Sequence, residues 1–492
     1  MACSAASGLD LVCPFLPGDF HDERLLRRAR RTMRASAEGH LHHTPETAAL
    51  RRGKARFCHN PKSDGEALLR ASARFLPQPL KSAEVLLCAE DTMLLRAGKD
   101  VLPEDAGPLR QADDLGHVVH DAFGLRPGSG KPEVWLGALV WTRSNDLHLQ
   151  DHKGRAPEER ESLKWSELRT EIHQRVRAAG FKGRVVSLND REGDCWTSLF
   201  LAREHKHELI TRFTHNRVIE EDDHLKQYLA HQPLAVTLRM PIYGSCKDKH
   251  RPRLAELELR WAEVTLWPSK TASHEQFRPV RVVGVRLYER HPPRGKKRFE
   301  SYLLTTCKVG TDEDAVNIVY WYGHRWGGSE VGHDLLKNGL EVEKMRVKNV
   351  QATRKLLALE GPVAAQVGQW VAASRQPKPP AVSTYFNRET LRELKQACAF
   401  WHVPTSRGWT LPKVIDALAR LAGADVRADR RPGWRVVLRG WRRFEEFRAI
   451  QAFVRDGQPS AAPLALALDN DDEPGGLDPP RAGPRVPRKI VR

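Results

Sequence analysis

Residues 85–91 read VLLCAED and residues 185–190 read VVSLND, so two short apolar runs each lead into an aspartate, Asp91 and Asp190. Such runs are typical of strands that are buried on both faces of a sheet. Carboxylates at the tips of adjacent strands can converge on one point, and their oxygens are preferred ligands of Mg²⁺. The two stretches therefore predict an α/β core with a metal site at one edge of the sheet.

The segments around these runs support the same core. Residues 117–125 and 134–142 are predicted as strands, and residues 163–179 as a helix. Residues 207–306 contain stretches that alternate between apolar and polar residues, so we predict an antiparallel β-rich insertion there. Helical periodicity returns after Thr311, which is a favourable N-cap residue.

Helical patterns flank the core on both sides. A chain of 492 residues is too long for one ordinary core. We predict an N-terminal helical domain over residues 1–75, the α/β core over residues 76–372, and a C-terminal helical region over residues 381–456. Residues 457–492 are rich in Pro, Gly and Ala, and we expect them to be disordered.

The formal net charge of +18 indicates a polyanionic partner. Arginines surround an apolar stripe in residues 21–37, which are predicted as a helix, and a second basic group lies at residues 51–56. The first group is either a contact to a nucleic-acid backbone or a solvated basic face. The cysteines form no CxxC pair, so neither a zinc ribbon nor a disulfide framework is indicated.

Membrane association is not expected from the sequence. It contains no run of about 18 apolar residues that would span a bilayer. Residues 1–20 lack the basic end and the long apolar stretch of a signal peptide. We therefore expect a cytoplasmic protein with no membrane partner.

Five segments, in chain order, resemble one known protein family. They are residues 55–60, 87–92, 188–194, 322–339 and 432–441. The fourth is similar to a tyrosine–arginine–glutamate–lysine signature, here Tyr322, Arg325, Glu330 and Lys337. The family is that of bacterial insertion-sequence cut-and-paste DDE transposases, in the subgroup that excises DNA through hairpin ends.

The resemblance implies an RNase H-like core and a catalytic role for three acidic residues. Asp91, Asp190 and Glu330 would hold Mg²⁺, for which Mn²⁺ can substitute. The implied reaction is cleavage of transposon ends, followed by 3′-hydroxyl attack, a hairpin intermediate and strand transfer into target DNA. The location implied is the bacterial cytoplasm, in association with the nucleoid.

The resemblance also implies how the chain would bind double-stranded DNA. Tyr322, Arg325 and Lys337 would contact phosphates near the cleaved end. Trp326 would either stack on a base extruded from the hairpin or pack in the core. The N-terminal domain would bind the transposon ends. The C-terminal region would pair two protomers into a homodimer, because both ends must be cut in one complex.

The signature departs from the family at one place. Four residues, 326–329, separate Arg325 from Glu330, which is one more than usual, and Ser329 stands at the usual position. Glu330 is the preferred third ligand because it precedes Lys337 by seven residues, which keeps both on nearly the same helix face.

A helix bulge at Gly327–Gly328 would absorb the extra residue, because glycine makes such a distortion inexpensive. Glu330 would then point toward Asp91 and Asp190, and Ser329 would point away. Glu192, in the second acidic motif, is the competing third ligand.

Other functions fit parts of the sequence. The altered spacing motivates a catalytically decayed transposase remnant that acts only as a DNA-binding protein or inhibitor. A stand-alone nuclease would share the core without joining strands. An RNA-binding protein is disfavoured, because the sequence has no RNP-type aromatic motif.

Overall fold

The computed structural model describes residues 13–38, 45–97, 102–110, 114–144, 160–220, 223–242, 253–268, 278–405, 407–427 and 431–456. The tail at residues 457–492, which was predicted to be disordered, lies outside these ranges. The strands are β1 (Val85–Arg96), β2 (Gly107–Pro108), β3 (Leu115–Leu125), β4 (Val134–Trp141), β5 (Arg184–Asn189), β6 (Glu208–Arg212), β7 (Val236–Ile242), β8 (Arg253–Leu266), β9 (Val280–Glu289) and β10 (Glu300–Thr305).

The α-helices are α1 (Glu23–Glu38), α2 (Pro45–His59), α3 (Gly65–Ser72), α4 (Gln78–Lys81), α5 (Lys164–Ala178), α6 (Trp196–Glu204), α7 (Leu225–His231), α8 (Asp312–Arg325), α9 (Val331–Asp334), α10 (Val350–Ser374), α11 (Arg388–Phe400), α12 (Leu411–Leu421) and α13 (Trp434–Asp456). Thr311 caps α8 through a reciprocal pair of hydrogen bonds with Asp314, which explains why that helix begins where the sequence predicts.

The core of the sheet has the strand order β4-β3-β1-β5-β6. β4, β3 and β1 are antiparallel neighbours, whereas β1, β5 and β6 run parallel to one another. This order and these directions are those of an RNase H-like core, so the predicted fold class is confirmed. The two apolar runs of the sequence are the adjacent central strands β1 and β5.

The β-rich insertion continues the same sheet. β10 pairs with β6, and β9, β8 and β7 follow in an antiparallel series. The range predicted for the insertion, residues 207–306, therefore includes β6, which belongs to the core because it pairs in parallel with β5. Alternation alone did not separate this short strand from the antiparallel strands that follow it.

Both faces of the central sheet are covered, and this decides where polar residues of β1 go. Leu87 and Ala89 belong to a buried cluster that includes residues of α8. Leu86 and Cys88 belong to another that includes residues of α5. Because side chains alternate along a strand, Asp91 is directed to the α8 face, whereas Glu90 is directed to the α5 face.

The helical segments share a large apolar cluster with the edge of the sheet. The apolar stripe predicted in the first helix is buried there, through Leu25, Leu26, Ala29 and Met33. Lys54, which belongs to the second basic group, is buried in an ion pair with Glu360 of α10. In the residues that the structure describes, no helix is both long enough and apolar enough to cross a membrane.

The start of α13 contacts the chain that follows α9. Arg435 Nε donates a 2.9 Å hydrogen bond to Asp334, and Arg442 donates one of 2.5 Å to the carbonyl of Gly339. A Cβ atom on Gly339 would lie only 3.0 Å from the Trp434 ring. The segment that follows Glu330 is thus held between the sheet and α13.

Candidate active site

Asp91 and Asp190 lie on neighbouring strands, as predicted. β1 and β5 pair in parallel from Val85–Arg184 to Ala89–Leu188, and the same offset two residues further on places Asp91 level with Asp190. Burial and the negative charge of Asp91 together raise the pKa of Asp190 above its ordinary value. The two carboxylates are therefore close enough to repel one another at the edge of the sheet where β5 ends.

The second acidic motif separates into three different roles. The carboxylate of Asp190 accepts a 2.7 Å hydrogen bond from the backbone N–H of Glu192 and so begins a short 3₁₀ turn. Asp194 is buried and is bound by Arg217 and by the N–H of Thr214, so it anchors a loop. The Glu192 side chain is 64% exposed, and its carboxylate lies 3.7 Å from the ammonium of Lys164.

Arg325, the last residue of α8, is buried beside these carboxylates. Its Nη1 donates a 3.0 Å hydrogen bond to Oδ2 of Asp91, and its Nη2 lies 3.9 Å from Oε1 of Glu330. Although burial opposes the charged form, the carboxylates of Asp91, Asp190 and Glu330 and the hydroxyl of Tyr322 raise the pKa of Arg325. Arg325 thus links the acidic residue of β1 with that of the helix.

The extra residue after Arg325 is absorbed by a π-helical turn over Trp326–Glu330, which confirms the predicted bulge. The two glycines are needed there for close packing. A Cβ atom on Gly327 would lie 2.2 Å from the carbonyl oxygen of Gly130, and one on Gly328 would lie 2.4 Å from Cβ of Ala89. The bulge therefore lets the helix press directly on β1 and on the turn between β3 and β4.

The expectation for Ser329 is wrong. Ser329 is fully buried, and its hydroxyl accepts a 3.3 Å hydrogen bond from Arg325 and donates one of 3.1 Å to the Arg325 carbonyl oxygen. The π-turn rotates the chain so that Ser329 faces inward next to the guanidinium. Glu330 reaches the same guanidinium from outside, with its side chain 58% exposed.

The Arg325 guanidinium lies over the ring of Trp326, and Tyr322 contacts Trp326 edge to face. Tyr322 is buried, and burial raises its pKa to about 12. Its ring centroid lies 5.7 Å from that of Trp326, and the Arg325 guanidinium lies 5.0 Å from the Trp326 centroid. Trp326 is 48% exposed and so is not a core residue. Its indole presents an accessible aromatic face at the rim of the carboxylate cluster.

Lys337 is held away from the carboxylates by contacts within the chain. It lies in a second π-helical turn, Leu335–Gly339. Its ammonium donates a 2.6 Å hydrogen bond to the carbonyl of Leu94 and lies 3.0 Å from Oε1 of Glu343. The helix that carries Glu330 is thus also attached to β1 further along the strand.

Two further residues of the site were missed by the sequence analysis. Asp121 of β3 is fully buried and pairs directly with Asp91 in the antiparallel ladder. His333, on the helix after Glu330, lies with Nε2 2.8 Å from Oδ1 of Asp121. A carboxylate within the otherwise apolar run VVHDAFGL at residues 118–125 was the available signal.

The donor atoms of the three predicted ligands are of the kind that a hard divalent cation binds. Asp91, Asp190 and Glu330 offer only carboxylate oxygens, which are the ligands that Mg²⁺ prefers. Burial and the negative charge of Asp91 raise the pKa of Asp190, and a cation would favour the ionised form of both carboxylates. Within the described ranges, no three His, Cys, Asp or Glu side chains already form a compact metal-binding group.

Comparison with known proteins gives little beyond this geometry. No protein-family model matches the chain. A solved cryo-EM structure of the piggyBac transposase synaptic complex with hairpin DNA is similar over 84% of this chain and 62% of that chain, with a TM-score of 0.33 and 10% sequence identity. The match thus covers less than two thirds of the length of that protein.

Proposed function

We propose that the chain is a DNA transposase that cleaves transposon ends in a metal-dependent reaction and transfers them to target DNA. The observation that carries the proposal is the level placement of Asp91 and Asp190 at the ends of adjacent parallel strands. Arg325, at the end of α8, donates a hydrogen bond to Asp91 and lies 3.9 Å from Glu330. The proposed reaction is that of the transposase family that the five sequence segments resemble.

Asp91, Asp190 and Glu330 are the residues that would hold Mg²⁺ or Mn²⁺. A divalent cation bound there would supply activation of a water or a 3′-hydroxyl and stabilisation of the leaving oxygen of a phosphodiester. Asp91 lies on the central strand β1 and Asp190 directly follows β5, whereas Glu330 ends a π-helical turn. The third carboxylate is therefore the one whose position depends most on its surroundings.

Arg325, Trp326 and Lys337 would bind the DNA end. The guanidinium of Arg325 can exchange a carboxylate partner for a phosphate, because it presents several N–H groups in a fixed fork. The exposed indole of Trp326 offers a stacking surface to an unstacked base. The buried hydroxyl of Tyr322 would contact a phosphate beside Arg325. Its raised pKa keeps the hydroxyl protonated, so that it can donate a hydrogen bond.

The test uses the full chain and a duplex that carries the DNA flanking its own coding region, with Mg²⁺ present. We expect cleavage with a 3′-hydroxyl, a hairpin product on denaturing gels, and joining to a plasmid. Asp91→Asn, Asp190→Asn and Glu330→Gln should abolish cleavage and leave DNA binding largely intact. Glu192→Gln and Ser329→Ala should retain cleavage.

The proposal fails if the wild-type protein binds these ends but never cuts them in Mg²⁺ or Mn²⁺. The inward position of Ser329 and the exposure of Glu330 would then favour the second candidate function, DNA binding by a catalytically decayed remnant. Cleavage without joining would instead indicate a nuclease. Pairing of two protomers on DNA, also part of the proposal, is measured from the mass of the protein–DNA complex.

A further inference from the structure

The contact between Asp121 and His333 connects two parts of the candidate active site. Asp121 lies opposite Asp91 in the β1–β3 ladder, and residues directly opposite in an antiparallel ladder project to the same face. His333 lies three residues after Glu330, about one helical turn further on. The 2.8 Å contact therefore joins the strand beside Asp91 to the helix that carries the third carboxylate.

The surroundings of this contact are tightly packed. A Cβ atom on Gly332 would lie 2.3 Å from the ring of Phe123, so the helix is pressed against β3 next to Asp121. Asp121 is fully buried, and its Oδ2 atom has no hydrogen-bond partner among the described residues. A buried carboxylate is costly unless it is compensated, and His333 supplies the compensation.

The charge of His333 also bears on Asp91. Burial alone would lower the pKa of His333, but the carboxylates of Asp121 and Asp91 raise it above its ordinary value. The imidazole is therefore within electrostatic range of the first carboxylate while it is hydrogen-bonded to its neighbour in the ladder. Asp121 lies outside the five resembling segments.

We infer that Asp121 and His333 are a positioning pair that fixes the helix bearing Glu330 on β3, and thereby sets the arrangement of the three carboxylates for a divalent cation. This inference rests on the proposed function, since it concerns the same carboxylates. Outer-shell partners that orient carboxylate or imidazole ligands typically contribute about 10- to 100-fold to metal affinity.

The experiment measures Mn²⁺ binding to the full chain, from the electron paramagnetic resonance signal of free Mn²⁺. Loss of Mn²⁺ binding in Asp91→Asn shows that the bound Mn²⁺ occupies the candidate active site. Asp121→Ala and His333→Ala should each weaken binding about 10-fold or more. The double variant should bind Mn²⁺ no more weakly than either single variant, because the two residues act as a unit. Asp121→Asn, which keeps a hydrogen-bond acceptor, should restore part of the affinity.

The matched control is His117→Ala. His117 is a buried histidine on β3, the strand that also carries Asp121. Its Nε2 lies 3.1 Å from Asp105 and its Nδ1 lies 2.7 Å from Thr353. It lies opposite Leu95 in the ladder, away from Asp91. Its replacement should lower thermal stability and leave Mn²⁺ affinity unchanged. A purely structural role for Asp121 and His333 would predict the same behaviour for all three variants.

Three results would overturn the inference. Additive effects of the two substitutions would show that the residues do not act as a pair. A much larger loss in Asp121→Ala than in His333→Ala would make Asp121 a direct ligand. Unchanged Mn²⁺ affinity in both would remove any role in positioning. A wild-type protein that binds Mn²⁺ through Asp91 but cuts no DNA would contradict the proposed function and leave the pair standing.

Discussion

Arg325 Nη1 and Asp91 Oδ2 are joined by a 3.0 Å hydrogen bond between residues 234 positions apart in the sequence. The guanidinium is the buried positive charge that compensates two neighbouring carboxylates, Asp91 and Asp190. Without it, ionising both carboxylates would be costly, because they would repel each other with little solvent to screen them. This ion pair therefore contributes to the stability of the fold.

Arg325→Ala should lower the free energy of unfolding by about 2–3 kcal/mol, because Asp91 would lose its charged partner. Asp91→Asn made in the Arg325→Ala background should cost much less than the same change in the wild type. Urea unfolding of the two single variants and the double variant gives the coupling energy. The exposed pair Arg239–Glu256 is the control, and Arg239→Ala should change stability by less than about 0.5 kcal/mol. Additive losses would contradict the ion pair.

Lys337→Ala should weaken binding to all duplex DNA to the same extent and reduce the salt slope of binding by about one. The reason is that a proposed phosphate contact carries no sequence information. Binding is measured by fluorescence anisotropy over a range of salt concentrations. Lys182→Ala, at the opposite end of β5 from Asp190, is the control and should leave the slope unchanged. A loss confined to one DNA sequence would argue against a phosphate contact.

Gly328→Ala should destabilise the protein by about 1–3 kcal/mol, because the added methyl group would meet Ala89 of β1. Gly323→Ala provides a matched comparison in the same helical segment. Nothing lies within 4 Å of the Cβ position at Gly323, so that substitution should stabilise the helix by up to about 1 kcal/mol. Thermal unfolding of both variants tests the tight docking of the π-turn. If Gly328→Ala stabilised the protein as Gly323→Ala is expected to, the tight docking of the π-turn on β1 would be contradicted.

Glu90→Gln should flatten the dependence of stability on pH. Glu90 faces α5, and burial raises its pKa from 4.5 to about 7, with the charge of Arg169 opposing the rise. The neutral form is thus favoured in the folded state, so the contribution of Glu90 to stability is full below pH 4.5. It falls as pH rises toward 7, by about 3 kcal/mol in all. Urea unfolding at several pH values checks this, and a difference between wild type and variant that is constant from pH 4.5 to 8 would contradict it.

Much of the core was predictable because its signals are local. The apolar runs before Asp91 and Asp190 identify the two central strands, and hydrophobic periodicity with a capping residue locates α8. The boundary of the insertion was less accessible. β6 is recognised as a core strand only from its parallel pairing with β5, which no local pattern records.

The site was predictable in its first two carboxylates and in the bulge, but not in the direction of side chains around the bulge. A π-turn changes the helical phase, and sequence spacing alone does not say which of Ser329 and Glu330 turns inward. Asp121 and His333 were missed for a similar reason. They are 212 residues apart and become partners only through the pairing of β3 with β1 and the docking of the helix.

The contacts of α13 with Asp334 and Gly339 have a consequence for biosynthesis. A ribosome releases the chain from its N-terminal end, and domains fold as their residues emerge. Asp91, Asp190 and Glu330 all leave the ribosome before residues 434–442 exist, so the nascent chain carries the three carboxylates without the helix that clamps the segment after the third. The segment after Glu330 acquires this support only once residues 434–442 have emerged from the ribosome, later than the three carboxylates themselves.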